Sequence, residues 1–186
     1  MINVRLRSEY SFRKAFGPIQ KVIETAGQKA VGVCDTGTWG HVTFSKECKG
    51  LGVKPLFGVE ISVVEDASDK SKQADNKMGF IAKNNEGLQE IYDLVTKSTD
   101  KEHFYYFPRL SYNELFDISD NIIMLSGTHP NLGMLPIKNK ENIFIELNPM
   151  TPKKILDFAQ RKGFRVVVTS DNYYPTVNDK KAYEVL

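Results

Sequence analysis

The chain has little of what holds small secreted proteins together. Its 186 residues include two cysteines, Cys34 and Cys48, too few for a disulfide framework, and their spacing fits no four-ligand zinc motif. A reducing cytoplasm is the expected setting. No apolar run approaches the ~20 residues of a membrane helix, and the amino terminus lacks a signal-peptide pattern, so the sequence predicts a soluble intracellular protein with no membrane partner. Charge of one sign is scarce too. The 25 Lys and Arg nearly balance 23 Asp and Glu, and a net charge of +2 gives no independent argument for nucleic acid. No internal repeat is visible. With 41 % apolar and 26 % charged residues the composition is that of a globular protein, and the length suits one domain, residues 1–186, with a single sizeable core.

Two kinds of segment alternate. Short β-branched runs at Ile2–Leu6, Ala30–Cys34, Leu56–Val64, Met78–Ala82, Ile122–Leu125, Ile143–Leu147 and Arg165–Thr169 predict buried strands. Amphipathic patterns predict helices over Ile19–Ala26, leading to a turn at Gly27, over Glu86–Thr96 and over Pro152–Gln160. Such alternation argues for an α/β fold with a largely parallel sheet. Seven candidate strands favour a barrel, with an open doubly wound sheet as the alternative. The polar stretch Asp66–Asn76 predicts an exposed loop, and Asn178–Leu186 reads as a helix just starting without a cap, as expected of a fragment of a longer protein.

In barrels and parallel sheets chemistry collects at the carboxyl ends of strands. Asp35, Glu60, Glu146 and Asp171 all fall within or just after predicted strands. Each also has a plainer reading. Asp35 suits a turn or helix cap before Thr36-Gly37, and Glu146, between Ile145 and Leu147, suits a solvated face.

The motifs are more specific than the single acids. Val4-Arg5-Leu6-Arg7-Ser8-Glu9-Tyr10-Ser11 resembles the opening strand of the PHP (polymerase and histidinol phosphatase) domain. Val33-Cys34-Asp35-Thr36-Gly37-Thr38-Trp39-Gly40 is similar to that family's Thr-Asp-His-Gly-Asn segment, and Gly52-Val53-Lys54-Pro55-Leu56-Phe57-Gly58-Val59-Glu60 to its Gly-Ile-Lys-Pro-Ile-Ile-Gly-x-Glu segment. Ile81-Ala82-Lys83-Asn84-Asn85-Glu86-Gly87-Leu88, Phe107-Pro108-Arg109-Leu110, Leu125-Ser126-Gly127 and Val167-Val168-Thr169-Ser170-Asp171-Asn172-Tyr173-Tyr174 follow in the family's order. The resemblance covers essentially the whole chain, and the Lys-Asn-x-Glu-Gly and Gly-x-Lys-Pro segments point to the branch found in bacterial-type, including phage-encoded, DNA polymerase III alpha subunits. It implies a distorted (β/α)7 TIM-like barrel.

It also implies a site, and the match there is incomplete. Asp35, Glu60 and Asp171 align with acids that bind metal in intact family members. Arg5, Arg7, Thr36, Thr128 and Tyr173 stand where the family has histidine or cysteine ligands, and Asn148 or Pro149 falls near another. A guanidinium has no lone pair to offer a metal, and three carboxylates alone make a poor zinc site, although they could hold Mg or another hard cation weakly. The expectation is therefore a degenerate metal site with no bound cofactor. Carboxylates left behind would need charge partners, and Arg5 and Arg7, alternating on one strand, could bridge Asp35, Glu60 or Asp171. The competing placement puts both arginines on a solvated face. His41 is expected to pack or lie exposed, His129 is a weak ligand candidate beside Thr128, and His103 precedes Phe104-Tyr105-Tyr106-Phe107, aromatics suited to loop anchoring or base stacking.

By resemblance, the chain is the amino-terminal domain of a DNA-directed DNA polymerase (a nucleotidyltransferase) acting in DNA replication. This segment would be non-catalytic, a platform for the remaining polymerase domains or a proofreading exonuclease subunit, meeting DNA through the parent enzyme. The alternatives are a free-standing metal-dependent phosphoesterase or 3′-5′ exonuclease, and a free-standing binding module.

Overall fold

The computed structural model describes residues 2–149, 151–170 and 172–185. The chain forms two compact units, Met1–Val59 with Thr169–Leu186, and Glu60–Val168.

In the first unit, α1 (Ile19–Ala26) matches the sequence pattern residue for residue. It follows Pro18 and stops at Gly27, whose φ of 57° lies in the left-handed region. Its apolar face, Ile19, Val22 and Ile23, packs with Val31 and Val33 of β1 (Ala30–Asp35), Phe44 and Cys48 of α2 (His41–Gly50), and Leu6. Each such aliphatic side chain contributes about 1.5–3 kcal/mol on full burial. Both cysteines are buried thiols with no disulfide. β1 pairs in parallel with the first half of β2 (Lys54–Val64), from Ala30 opposite Lys54 to Asp35 opposite Val59.

The segment Ile2–Leu6 is not the full strand expected. It makes one isolated bridge, Leu6 to Val33, with hydrogen bonds from Gly32 N–H to the Asn3 carbonyl, Leu6 N–H to the Gly32 carbonyl and Cys34 N–H to the Leu6 carbonyl. Close approach requires Gly32, because a Cβ there would lie 2.7 Å from the Val4 carbonyl oxygen.

The second unit carries the rest of β2, then β3 (Asn76–Ala82), α3 (Asn85–Ser98), β4 (Arg109–Ser111), β5 (Ile122–Leu125), β6 (Ile143–Leu147), α4 (Lys153–Lys162) and β7 (Arg165–Val168). Its strand order is β2-β3-β5-β6-β7, with β4 on β2. The pairs β2–β4, β5–β6 and β6–β7 are parallel and β3–β5 is antiparallel. The sheet is therefore largely parallel, as the alternation predicted. α3 is capped by Asn84, whose Oδ1 accepts from Gly87 N–H at 2.8 Å. β7 is a correction, because its composition reads as a buried strand yet Val168 is 70 % exposed. It ends the strand order, and among the described residues only β6 borders it. The polar loop before β3 is mostly exposed but pinned at its base by the fully buried Arg109, which donates to the carbonyls of Ala67 at 2.9 Å, Asp69 at 3.2 Å and His103 at 3.1 Å.

Candidate functional site

In the first unit, Asp35 ends β1 and is 1 % exposed. Three donors close on its carboxylate. Ser8 N–H reaches Oδ1 at 2.8 Å, Ser8 Oγ reaches Oδ2 at 2.7 Å, and Ser11 Oγ reaches Oδ1 at 2.6 Å. Burial pushes the Asp35 pKa above its ordinary value, against the lowering pull of Ser11 and Ser8. The two serines are themselves fully buried, in the turn that follows the opening segment. Sequence reasoning missed them. Two hydroxyls three residues apart directly after a strand-like run were the available signal, but such pairs serve ordinary turns just as often.

Arg5 and Arg7 are 3 % and 4 % exposed, so the solvated-face placement is excluded. The Arg7 guanidinium lies over the Tyr173 ring, 4.9 Å from its centroid. Two positions where the resemblance implied histidines thus meet as a cation and an aromatic face. Phe16 N–H donates to the Tyr173 carbonyl at 2.8 Å, which holds that segment in place. Arg7 also lines a cavity of about 280 Å³ together with Asn3, Leu6, Val22, Ser170, Asn172 and Pro175. Thr36 is half-buried. Asp171 lies outside the described residues.

His41 packs rather than faces solvent. It is buried, its Nε2 is 3.0 Å from the Gly58 carbonyl, and its ring centroid is 5.3 Å from that of Phe57. Burial lowers its pKa, against the raising effect of the Gly58 contact.

In the second unit, Glu60 is buried in β2 directly after Val59. Glu146 is buried too, not solvated. Its Oε2 accepts from Gly127 N–H at 2.7 Å, while its own N–H donates to Ser126 Oγ at 3.0 Å. This acid fixes the loop after β5, where Gly127 has φ of 76°. Thr128 and His129 follow, and Thr128 Oγ1 lies 3.0 Å from His129 Nδ1, with His129 exposed. Asn148 is half-buried, its N–H donating to Thr151 Oγ1 at 2.8 Å, and Pro149 is exposed.

His103 is a loop anchor. Its Nδ1 is 2.7 Å from Asp100 Oδ1 and its Nε2 is 2.8 Å from Glu114 Oε1. Lys97 Nζ meets the same Glu114 oxygen at 2.6 Å. Burial alone would lower the His103 pKa, but the two carboxylates outweigh it and set it above its ordinary value.

Arg5 and Arg7 present N–H groups, and Asp35 already accepts three hydrogen bonds. Among the described residues no group of three or more His, Cys, Asp or Glu is arranged to hold a metal ion. Among them too, no helix is long and apolar enough to cross a membrane.

Comparison with known proteins agrees with the motifs. The profile described as PHP domain matches residues 3–141. The DNA polymerase III subunit alpha of Treponema pallidum is 27 % identical over 100 % of this chain and 19 % of its own length. That of Chlamydia pneumoniae is 24 % identical with the same two coverages, and that of Chlamydia muridarum is 32 % identical over 68 % of this chain and 11 % of its own. The chain thus spans about a fifth or less of the curated relatives it matches. Among solved structures, a candidate metal-dependent phosphoesterase of Bifidobacterium adolescentis aligns with a TM-score of 0.57 at 12 % identity, covering 92 % of this chain and 87 % of that one. A two-domain protein of Bacteroides vulgatus with a predicted PHP-like metal-dependent phosphoesterase aligns at 0.54 and 11 % identity, covering 97 % and 55 %. At such identities the likeness shows the fold alone.

Proposed function

The chain belongs to the PHP domain family, and from that membership we propose that it serves as a non-catalytic structural and interaction platform in a DNA polymerase III alpha-type enzyme of replication. Residues 1–186 act as one PHP domain at the amino terminus of a longer cytoplasmic polymerase, shaped as a distorted (β/α)7 barrel. The nucleotidyl transfer belongs to the rest of the parent chain. The partners are its remaining domains and a proofreading exonuclease subunit, with DNA met through the parent.

One observation carries this reading. Arg5 and Arg7 are buried, at positions where the family resemblance calls for metal ligands. A metal centre neutralises its carboxylates, and acids that outlast the metal stay costly to bury unless another positive group replaces it. In this reading the buried guanidiniums of Arg5 and Arg7 supply positive charge where a metal would have supplied it, while Ser8 and Ser11 serve Asp35. The site is degenerate, retained for architecture and not for hydrolysis.

Two measurements test it. Protein purified without chelators should contain well below one equivalent of zinc, iron or manganese, and should not hydrolyse phosphomonoesters or degrade a 3′ DNA end. Near-stoichiometric metal together with hydrolysis would replace this reading with the free-standing phosphoesterase. In addition, Arg5→Ala and Arg7→Ala should each lower stability by roughly 3–5 kcal/mol, the cost of breaking a buried pair, where an exposed pair would cost about 0–1 kcal/mol. Two variants as stable as the parent would remove the charge-replacement argument.

A further inference from the structure

In the second unit His103 carries an acid on each ring nitrogen, Asp100 Oδ1 at 2.7 Å from Nδ1 and Glu114 Oε1 at 2.8 Å from Nε2. The two acids belong to different parts of that unit. Asp100 follows the end of α3 and is three residues before His103, while Glu114 sits in the 3-10 turn Tyr112–Asp117, eleven residues after it. The imidazole thus clamps the loop 100–107 to that turn. The loop displays Phe104 and Tyr106, 46 % and 82 % exposed, and Tyr106 holds φ of 61°, in the left-handed region that non-glycine residues seldom adopt. Beside the clamp lies a cavity of about 550 Å³, lined by His103 and Glu114 together with Glu65, Asp66, Ser68 and Met134.

An imidazole donates from both nitrogens only when each carries a proton. Once neutral it keeps one N–H, and its bare nitrogen faces a carboxylate oxygen, lone pair against lone pair. The two contacts differ in how they meet that change. Asp100 Oδ1 also accepts from the N–H of Glu102 at 2.9 Å and of His103 at 2.8 Å, which keeps it beside Nδ1 whatever the charge on the ring. Glu114 has donors of its own, Lys97 Nζ at 2.6 Å from Oε1 and Ser111 N–H at 2.7 Å from Oε2, and is reached from the loop only across a turn. The last proton therefore stays on Nδ1, and the contact that fails is the one from Nε2 to Glu114. The other charges around the ring come from every neighbouring segment. Arg109 of β4 donates through Nε to the His103 carbonyl at 3.1 Å, Lys70 Nζ donates to the carbonyls of Glu102 and Phe104, Lys101 and Glu102 precede the ring, and Glu65 and Asp66 line the cavity with it. Among side-chain types, imidazole is the one that ordinarily changes charge between pH 5 and 8.

We propose that His103 is a proton-operated latch, which when protonated clamps the aromatic loop 100–107 onto the turn Tyr112–Asp117 and when neutral lets go of Glu114, loosening the loop and opening the cavity beside it. Lys70 and Arg109 keep their hold on the loop's carbonyls, so the release is local and not an unfolding. Burial lowers the His103 pKa, but the two carboxylates outweigh it and leave the folded value above the unfolded one. The latch is thus closed on the acid side of the folded pKa and opens as pH rises through it. It owes nothing to the buried arginines of the first unit.

Nitrogen NMR of the imidazole tests the geometry directly in the 186-residue chain. At about pH 5 both ring nitrogens of His103 should carry protons, and at about pH 9 the ring should be the Nδ1–H tautomer with Nε2 bare. Over the same range the amides of Glu102, His103, Phe104 and Tyr105 should lose roughly three- to tenfold in hydrogen-exchange protection, corrected for the pH dependence of free peptides, because the clamp is partly in solvent. The amides of β5 should keep theirs. In His103→Gln, whose side chain takes up no proton, protection of the loop should be the same at both pH values. A neutral His103 that holds its proton on Nε2 overturns the latch, and so does loop protection that is indifferent to pH in the parent. A pH dependence that persists in His103→Gln, or a loss that β5 shares equally, overturns it as well.

Discussion

Replacing Ser11 with alanine removes one oxygen from a fully buried position and should reveal how the Asp35 carboxylate is held. Ser11 Oγ donates to Asp35 Oδ1 at 2.6 Å, and the other two donors, Ser8 N–H and Ser8 Oγ, stay in place. A hydrogen bond to a charged group contributes about 1.5–3 kcal/mol, whereas one between neutral groups contributes about 0.5–1.5 kcal/mol. The loss in Ser11→Ala is therefore about 2 kcal/mol with Asp35 ionised and about 1 kcal/mol with it protonated. Burial sets the folded pKa of Asp35 above its unfolded value even with both serines opposing. Stability from this group is thus fully present below the unfolded pKa, about 3.9, and is lost as pH rises through the folded one. Removing Ser11 raises the folded pKa further. The deficit of the variant should be smallest at low pH and grow as pH climbs from the parent's folded value to the variant's. Urea unfolding of both proteins at a series of pH values from about 4 to 8 reads this out. With a slope of ~2 kcal/mol per M the midpoint falls by about 1 M where Asp35 is ionised and by about half that where it is protonated. A deficit that is the same at every pH, or below about 0.5 kcal/mol at neutral pH, would refute the assignment of Ser11 as a donor to a buried charge.

Gly87→Ala in α3 should destabilise by roughly 1–3 kcal/mol in thermal melts. Alanine ordinarily gains up to ~1 kcal/mol over glycine inside a helix, but a Cβ here runs into the Asn121 carbonyl. Unchanged or raised stability would show that α3 can move away from that backbone. His103 should titrate above its ordinary value by NMR, its stabilising contribution present below the unfolded pKa and lost as pH rises through the folded one. Glu114→Gln should bring that titration down, and a His103 signal indifferent to the substitution would dissolve the anchor.

What the sequence made legible followed from local rules. α1 begins after Pro18 and ends at Gly27 as its punctuation says, and β5 and β6 match their β-branched runs because each is largely buried. The three-residue β4 escaped notice since Arg-Leu-Ser has no strand composition, and its place is fixed by pairing with β2. β7 misled in the opposite sense, because Arg-Val-Val-Val reports strand propensity while burial depends on neighbours a local pattern cannot contain. In the candidate site, Asp35 and Glu60 were found through the family motifs. The donors to Asp35 were not, since serine hydroxyls carry no distinctive spacing. Nor was the stacking of Arg7 on Tyr173, which joins residues 166 positions apart in the chain.

Cys34 and Cys48 give the first unit a chemical clock. Neither sulfur is exposed, and burial together with the neighbouring Glu47 charge pushes the Cys48 thiol up to about 11. At neutral pH almost none of Cys48 is thiolate, so peroxide or a maleimide gains access only when the packing of α1, β1 and α2 opens. The rate of alkylation in the native protein therefore counts openings of that core, with no residue changed beforehand. Because Cys34 lies on β1 and Cys48 on α2, the order in which they react tells which of the two elements lifts first.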